Sequence, residues 1–221
     1  MSDGEKTVRI PLDGASIEGN LRVPANAGGV VLFAHGSGSS RFSPRNQYVA
    51  GVLNEAGFAT LLIDLLTRDE EEIDLRTRQF RFDIELLTGR LIKAAEWLKR
   101  NSQTRKLRIG LFGSSTGAAA ALIAAAKLVD DVGAVVSRGG RPDLAMEYLA
   151  GVKAPILLIV GGWDTVVIGL NQKAMSRLSA EKKLEVVPEA THLFEEPGKL
   201  EEVADLATAW FSKHLVKSSS E

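Results

Sequence analysis

The sequence predicts an α/β fold: a doubly wound, mostly parallel sheet with helices on both faces. Three observations predict it. Continuous apolar runs of strand length recur at Val30–Ala34, Ala59–Ile63 and Pro155–Val160, and such runs belong to strands buried on both faces. Helical segments separate them, so strand and helix alternate along the chain. The chemistry-bearing residues His35, Asp64, Ser115, Arg138, Asp164 and His192 fall just past strand ends, where open α/β sheets carry their sites.

Val8–Pro11 and Ile17–Val23 read as an N-terminal antiparallel hairpin, turned by Asp13-Gly14. Val30–Ala34 is the first buried strand and ends in His35-Gly36-Ser37-Gly38-Ser39-Ser40. Ser43-Pro44 opens a helix, with serine as cap and proline in the first turn, and Gly57 closes it. Ala59–Ile63 follows and ends at Asp64. Thr67–Arg81 is charged and reads as a loop or partial helix over the strand ends. It is the one lid candidate and too short for a large cap domain. Asp83 caps a long amphipathic helix to about Arg100, with Ile84, Leu87, Leu91, Ala94, Ala95 and Leu98 on one face.

Ile109–Phe112 is the next strand, followed by Gly113-Ser114-Ser115-Thr116-Gly117 and an alanine-rich helix. Ala134–Val136 is a short strand, and Asp143–Leu149 a short helix. Pro155–Val160 leads to Gly161-Gly162-Trp163-Asp164. A helix spans about Leu170–Leu178, Leu184–Val187 is the last strand, and a helix from about Leu200 to His214 closes the chain.

Composition bounds the function. At 221 residues the chain suits one α/β domain, here 1–216, with a polar, frayed tail at Lys217–Glu221. The net charge of −1 offers no general field for nucleic acid or an anionic membrane. No cysteine is present, which removes disulfides and thiolate chemistry. No apolar run is long enough to span a bilayer and no secretory leader is visible, so the expected compartment is the cytoplasm. A monomer or small homo-oligomer is expected.

The glycine spacing around Ser115 has a steric reason. A strand meeting a helix through so tight a turn crowds the flanking positions, and glycine has no Cβ to clash. The turn lifts the serine hydroxyl above the sheet edge, and the helix start supplies free N–H groups. G-x-S-x-G in this setting is the nucleophile elbow. A serine needs a base and a group to orient that base. Of three histidines, His192 lies in a loop after the last strand and is the candidate base. His35 more often braces its loop, and His214 reads as a solvated helix residue. Asp164 is the candidate acid, with Asp143 as rival and Asp64 as a structural carboxylate. The order Ser115, Asp164, His192 is that of α/β-hydrolases. Two backbone N–H groups would form the oxyanion hole, those of Thr116 and Ser37.

These four motifs, His35–Ser39, Gly113–Gly117, Gly161–Asp164 and Thr191–Phe194, together resemble the α/β-hydrolase superfamily and its small dienelactone-hydrolase-like group. The chain is also similar to hydrolase domains fused to phosphoribosyltransferases in bacteria, across Ser37–Asn46 and Ser137–Leu144. The resemblance implies ester or related acyl hydrolysis by a Ser-His-Asp triad without a cofactor. Two departures stand out. Dienelactone hydrolases proper use cysteine where Ser115 stands. No phosphoribosyltransferase-type Asp-Asp loop follows a buried strand, since Asp130-Asp131 follows a helix.

The substrate would be a small carboxylic ester or lactone. His35, Gly38, Arg41, Arg45, Arg138 and Trp163 are candidate substrate contacts. Arg41, Arg45, Arg138 and Arg141 together suit a carboxylate or phosphate, or else form loop ion pairs with Glu70–Glu72. Trp163 is either a pocket wall or a core residue. The competing readings are a non-catalytic binding protein of the same fold, and an acyltransferase or thioesterase with the same triad. No metal site is expected.

Overall fold

The computed structural model describes residues 4–216; the tail 217–221 lies outside the described residues. The chain begins with the expected hairpin, Lys6–Pro11 (β1) and Ser16–Arg22 (β2), paired antiparallel around Gly14 at φ 82°. The strands Val30–Ala34 (β3) and Ala59–Ile63 (β4) flank the helix Pro44–Glu55 (α1). Then come the helices Arg68–Thr77 (α2) and Ile84–Arg100 (α3). Ile109–Ser114 (β5), Thr116–Lys127 (α4) and Val132–Arg138 (β6) form the centre. Ile156–Gly161 (β7), Thr165–Met175 (α5), Lys182–Val187 (β8) and Lys199–Leu215 (α6) complete the chain. The eight strands form one sheet in the order β1-β2-β4-β3-β5-β6-β7-β8. The β1–β2 and β2–β4 pairs are antiparallel; the other pairs are parallel.

Both faces of the central strands are buried, as their unbroken apolar runs require. In β3, Val30, Leu32 and Ala34 pack with α3 and α4, while Val31 and Phe33 face α1 and α6. The α4 helix is almost wholly buried, and its alanines let it approach the sheet closely. On α3, the predicted stripe is buried at Leu87, Leu91, Ala94, Ala95 and Leu98, with Ile84 at its margin.

Several elements differ from the sequence reading. Of the two readings of Thr67–Arg81, the partial helix forms, because α2 closes a capping box between Thr67 and Glu70. The insertion adds that one helix and no further layer. α5 starts at Thr165, not near Leu170. Its Val166-Val167-Ile168 run has a strand-like preference that packing against β7 and β8 overrides. β6 extends through Ser137 and Arg138, held between β5 and β7. Asp143–Leu149 forms no continuous helix; two short 3-10 turns, Pro142–Ala145 and Leu149–Gly151, take its place. No helix among the described residues is long and apolar enough to cross a membrane.

Candidate active site

Ser115 links β5 to α4 with φ 51° and ψ −119°. A non-glycine residue there stores roughly 1–3 kcal/mol of strain and persists only where its surroundings fix it. Two backbone hydrogen bonds across the elbow do so. The Ser115 N–H donates to the Arg138 carbonyl at 3.2 Å, and the Ser115 carbonyl accepts from the Arg141 N–H at 3.1 Å. The glycines are there for space. A Cβ on Gly113 would lie 2.4 Å from the Ala118 Cα, and one on Gly117 would lie 2.4 Å from the carbonyl oxygens of Ala34 and His35. The Ser115 hydroxyl does not cap its own helix.

His192 follows β8 in a loop pinned from several sides. The Trp163 N–H donates to the Ala190 carbonyl at 2.9 Å. The Thr191 N–H donates to Glu196 Oε2 at 3.1 Å, a bond that holds the Glu196 carboxyl below its usual pKa. Gly139 lies under the ring, where a Cβ would sit 3.3 Å from its Cε1. His192 Nδ1 lies 2.6 Å from Asp164 Oδ2. Because a carboxylate only accepts, Nδ1 carries a proton, and in the neutral ring the lone pair is on Nε2. Asp164 stands at the N-terminus of α5 but leaves the helix uncapped. Its rival is engaged elsewhere: Asp143 receives Arg141 bidentately at 2.8 and 2.7 Å.

Among the described residues the Ser37 and Thr116 backbone N–H groups donate to no protein acceptor. Their side chains are joined. Thr116 Oγ1 donates to Ser37 Oγ at 2.8 Å, and Ser37 Oγ donates to the Arg81 carbonyl at 3.0 Å. The Thr116 hydroxyl thus ties the start of α4 to the Ser37 loop. Sequence reasoning missed the anchor of this chain. Asp74, buried on α2, accepts from Arg81 Nε at 2.6 Å and from the N–H groups of Phe80 and Arg81. Those bonds keep its carboxyl below the usual range although burial pushes the other way.

Ser37, Ser115, Thr116 and His192 line one cleft of about 270 Å³, with Arg45, Arg138 and Arg141 on its wall. Asn46, Ser114 and the exposed Phe82 also line it and carried no signal in the sequence. Asp164 reaches the cleft through His192.

The other candidates separate. His35 is buried, and both its ring nitrogens are engaged by backbone groups. Its Nε2 accepts the Leu65 N–H at 3.0 Å and its Nδ1 donates to the Gly36 carbonyl at 2.8 Å, tying two loops together. Gly38, at φ 70°, lies against Arg81 in a separate cavity of about 50 Å³ beneath α2. Arg41 is withdrawn into an ion-pair cluster with Asp64 and Glu18. Its partners are not Glu70–Glu72: Glu70 pairs with Arg90 and Glu72 with Arg76. Trp163 is not a core residue, being 61% exposed. His214 is not solvated as expected; it packs on the Trp210 ring at 4.5 Å between centroids. No cluster of three metal-binding side chains occurs among the described residues.

Burial pushes the His35 pKa below its ordinary 6.5. Below pH 6.5 the unfolded chain therefore takes up a proton that the native chain resists, and stability falls with pH. Urea midpoints should drop between pH 7.5 and 5.5, and drop less in His35→Gln. Equal pH slopes in the two proteins would contradict this.

Comparison with known proteins agrees with this architecture. The family model described as the dienelactone hydrolase family matches residues 17–215. A solved dienelactone hydrolase of Anabaena variabilis is 58% identical, with a TM-score of 0.95 over 96% of this chain and 98% of that one. Est1E of Butyrivibrio proteoclasticus shares the fold at 16% identity, with a TM-score of 0.80 over 94% of this chain and 98% of its own. A provisionally named phosphoribosyl transferase of Mycobacterium tuberculosis is 56% identical over 211 residues, which are 96% of this chain and 47% of that protein. The chain thus spans about half the length of that curated relative. By sequence and by structure, the chain belongs to the dienelactone hydrolase family.

Proposed function

We propose that this chain is a serine hydrolase of small carboxylic esters or lactones, acting through an acyl-enzyme on Ser115. The observation that carries the reading is the 2.6 Å bond from His192 to Asp164 beside a strained Ser115 in one cleft. On this reading His192 Nε2 removes the Ser115 proton as the hydroxyl attacks the carbonyl carbon. The oxyanion is held by the Ser37 and Thr116 N–H groups, each worth about 3 kcal/mol in the transition state. His192 returns the proton to the leaving oxygen, and the ester bond breaks. Water, activated by the same imidazole, then releases the acid and restores Ser115. Asp164 keeps the ring oriented and stabilises the imidazolium.

No step calls for a cofactor. An acyltransferase or thioesterase would share the first half of this cycle. The partial exposure of His192, at 39%, favours water as the acceptor. The transferase named for the longer relative belongs to that whole protein and is not extended to this chain.

Stopped-flow hydrolysis of 4-nitrophenyl butyrate tests the reading. One equivalent of nitrophenol should appear in a burst, followed by slower turnover whenever deacylation limits the rate. Absence of any enzyme-dependent release from short esters and lactones would favour a non-catalytic binding protein.

A further inference from the structure

Arg138 is a buried guanidinium without a counter-ion among the described residues. It is 7% exposed, and its Nε and Nη1 have no hydrogen-bond partner among the described residues. Its Nη2 makes one long contact, 3.5 Å to Asn46 Oδ1, and that oxygen already accepts from Ser114 Oγ at 3.0 Å. Burial, with the charge of Arg45 close by, lowers its pKa to about 10, so it remains a cation at neutral pH. Arginines are rarely buried without a paired anion. The nearby carboxylates are committed elsewhere: Glu195 to Arg45, Asp143 to Arg141 and Asp164 to His192.

The place is next to the reacting atom. Arg138 ends β6 in register with Ser114, and its carbonyl holds the Ser115 N–H. Arg138 and Arg45 line the same cleft as Ser115 and His192, together with Ser43. Ser43 caps α1, whose first turn carries no acidic residue, so its positive end is uncompensated there. Arg45, paired through Nη1 with the exposed Glu195, adds a second guanidinium whose Nε lacks a partner among the described residues.

We infer that Arg138, with Arg45 and the start of α1, forms an oxyanion-group subsite, which takes a carboxylate or phosphate carried by the ester a few atoms from its reacting carbonyl. The assignment rests on the hydrolase reading for its substrate, though not for the binding itself. An anion here would pair the guanidinium bidentately and supply the partners its nitrogens lack.

The test compares 4-nitrophenyl esters of butyrate, succinate and 3-phosphonopropionate, together with 3-carboxyphenyl butyrate. At least one anionic ester should exceed its neutral counterpart in kcat/KM by about 10- to 100-fold, the usual effect of a hydrogen-bonded charge. The preferred ester distinguishes carboxylate from phosphate. In Arg138→Met that ratio should collapse towards unity, and Arg138→Lys should recover part of it. Arg138→Met should also melt higher than the parent, because an unpaired buried charge has gone; a merely structural arginine would lower the melting point. Thermal shift with methyl succinate and with inorganic phosphate gives an arm independent of catalysis. One of them should stabilise the parent and not Arg138→Met, even if no ester is cleaved. The subsite is overturned if no anionic ester is preferred through Arg138 and neither anion gives an Arg138-dependent shift. Cleavage of neutral esters alone would then leave the hydrolase reading standing without it.

Discussion

Ser115→Ala is expected to lower kcat for ester hydrolysis by about 10⁴-fold or more, since removing a nucleophile disables the whole triad. The fold should survive. The substitution removes one oxygen that caps no helix, and it leaves the glycine-shaped elbow around it unchanged. The backbone at φ 51° is held by bonds to Arg138 and Arg141 that do not use the side chain. Steady-state assays beside a thermal melt separate the two effects. Near-parent activity at an unchanged melting temperature would remove Ser115 from the chemistry.

The second large effect is expected at Asp164. Asp164→Asn keeps the shape but presents an amide to His192 Nδ1, which then favours the wrong tautomer. A loss of about 10³- to 10⁴-fold in kcat should follow, with a much smaller change in KM. Asp143→Asn serves as comparison. Its carboxylate is held by Arg141 and not by His192, so its effect on kcat should be far smaller. If the two variants changed places in this assay, Asp143 would be the orienting acid and the 2.6 Å bond from His192 to Asp164 incidental.

The parts of the site that were legible in the sequence are those set by local sterics and chain order. Gly113 and Gly117 announce the elbow because any Cβ there would strike backbone atoms. Asp164 and His192 follow from their places after β7 and β8, where the parallel sheet exposes its loops. The doubly wound sheet was legible for a similar reason: runs such as Val30–Ala34 have no polar side to show to water.

What was hidden depends on contacts across the sheet. Four loop arginines looked alike in sequence. The antiparallel pairing of β2 with β4 brings Glu18 beside Asp64 and captures Arg41. Arg138, on β6 three strands from β4, pairs with no carboxylate among the described residues. The Asp74–Arg81 anchor joins residues 7 positions apart and then reaches Ser37, 44 positions away. No periodicity marks such a chain. The start of α5 was missed because Val166-Val167-Ile168 has little helix preference of its own, and packing decides its state. Trp163 misled by size alone, since a large aromatic beside the acid can also lie on the surface.

The measurement that bears most directly on the account is reaction with a fluorophosphonate, followed by peptide mapping of the adduct. The account predicts one covalent phosphonyl group per chain, on Ser115, formed slowly or not at all in Asp164→Asn and absent from Ser115→Ala. An adduct on another residue, or none under conditions where the protein is folded, would contradict it.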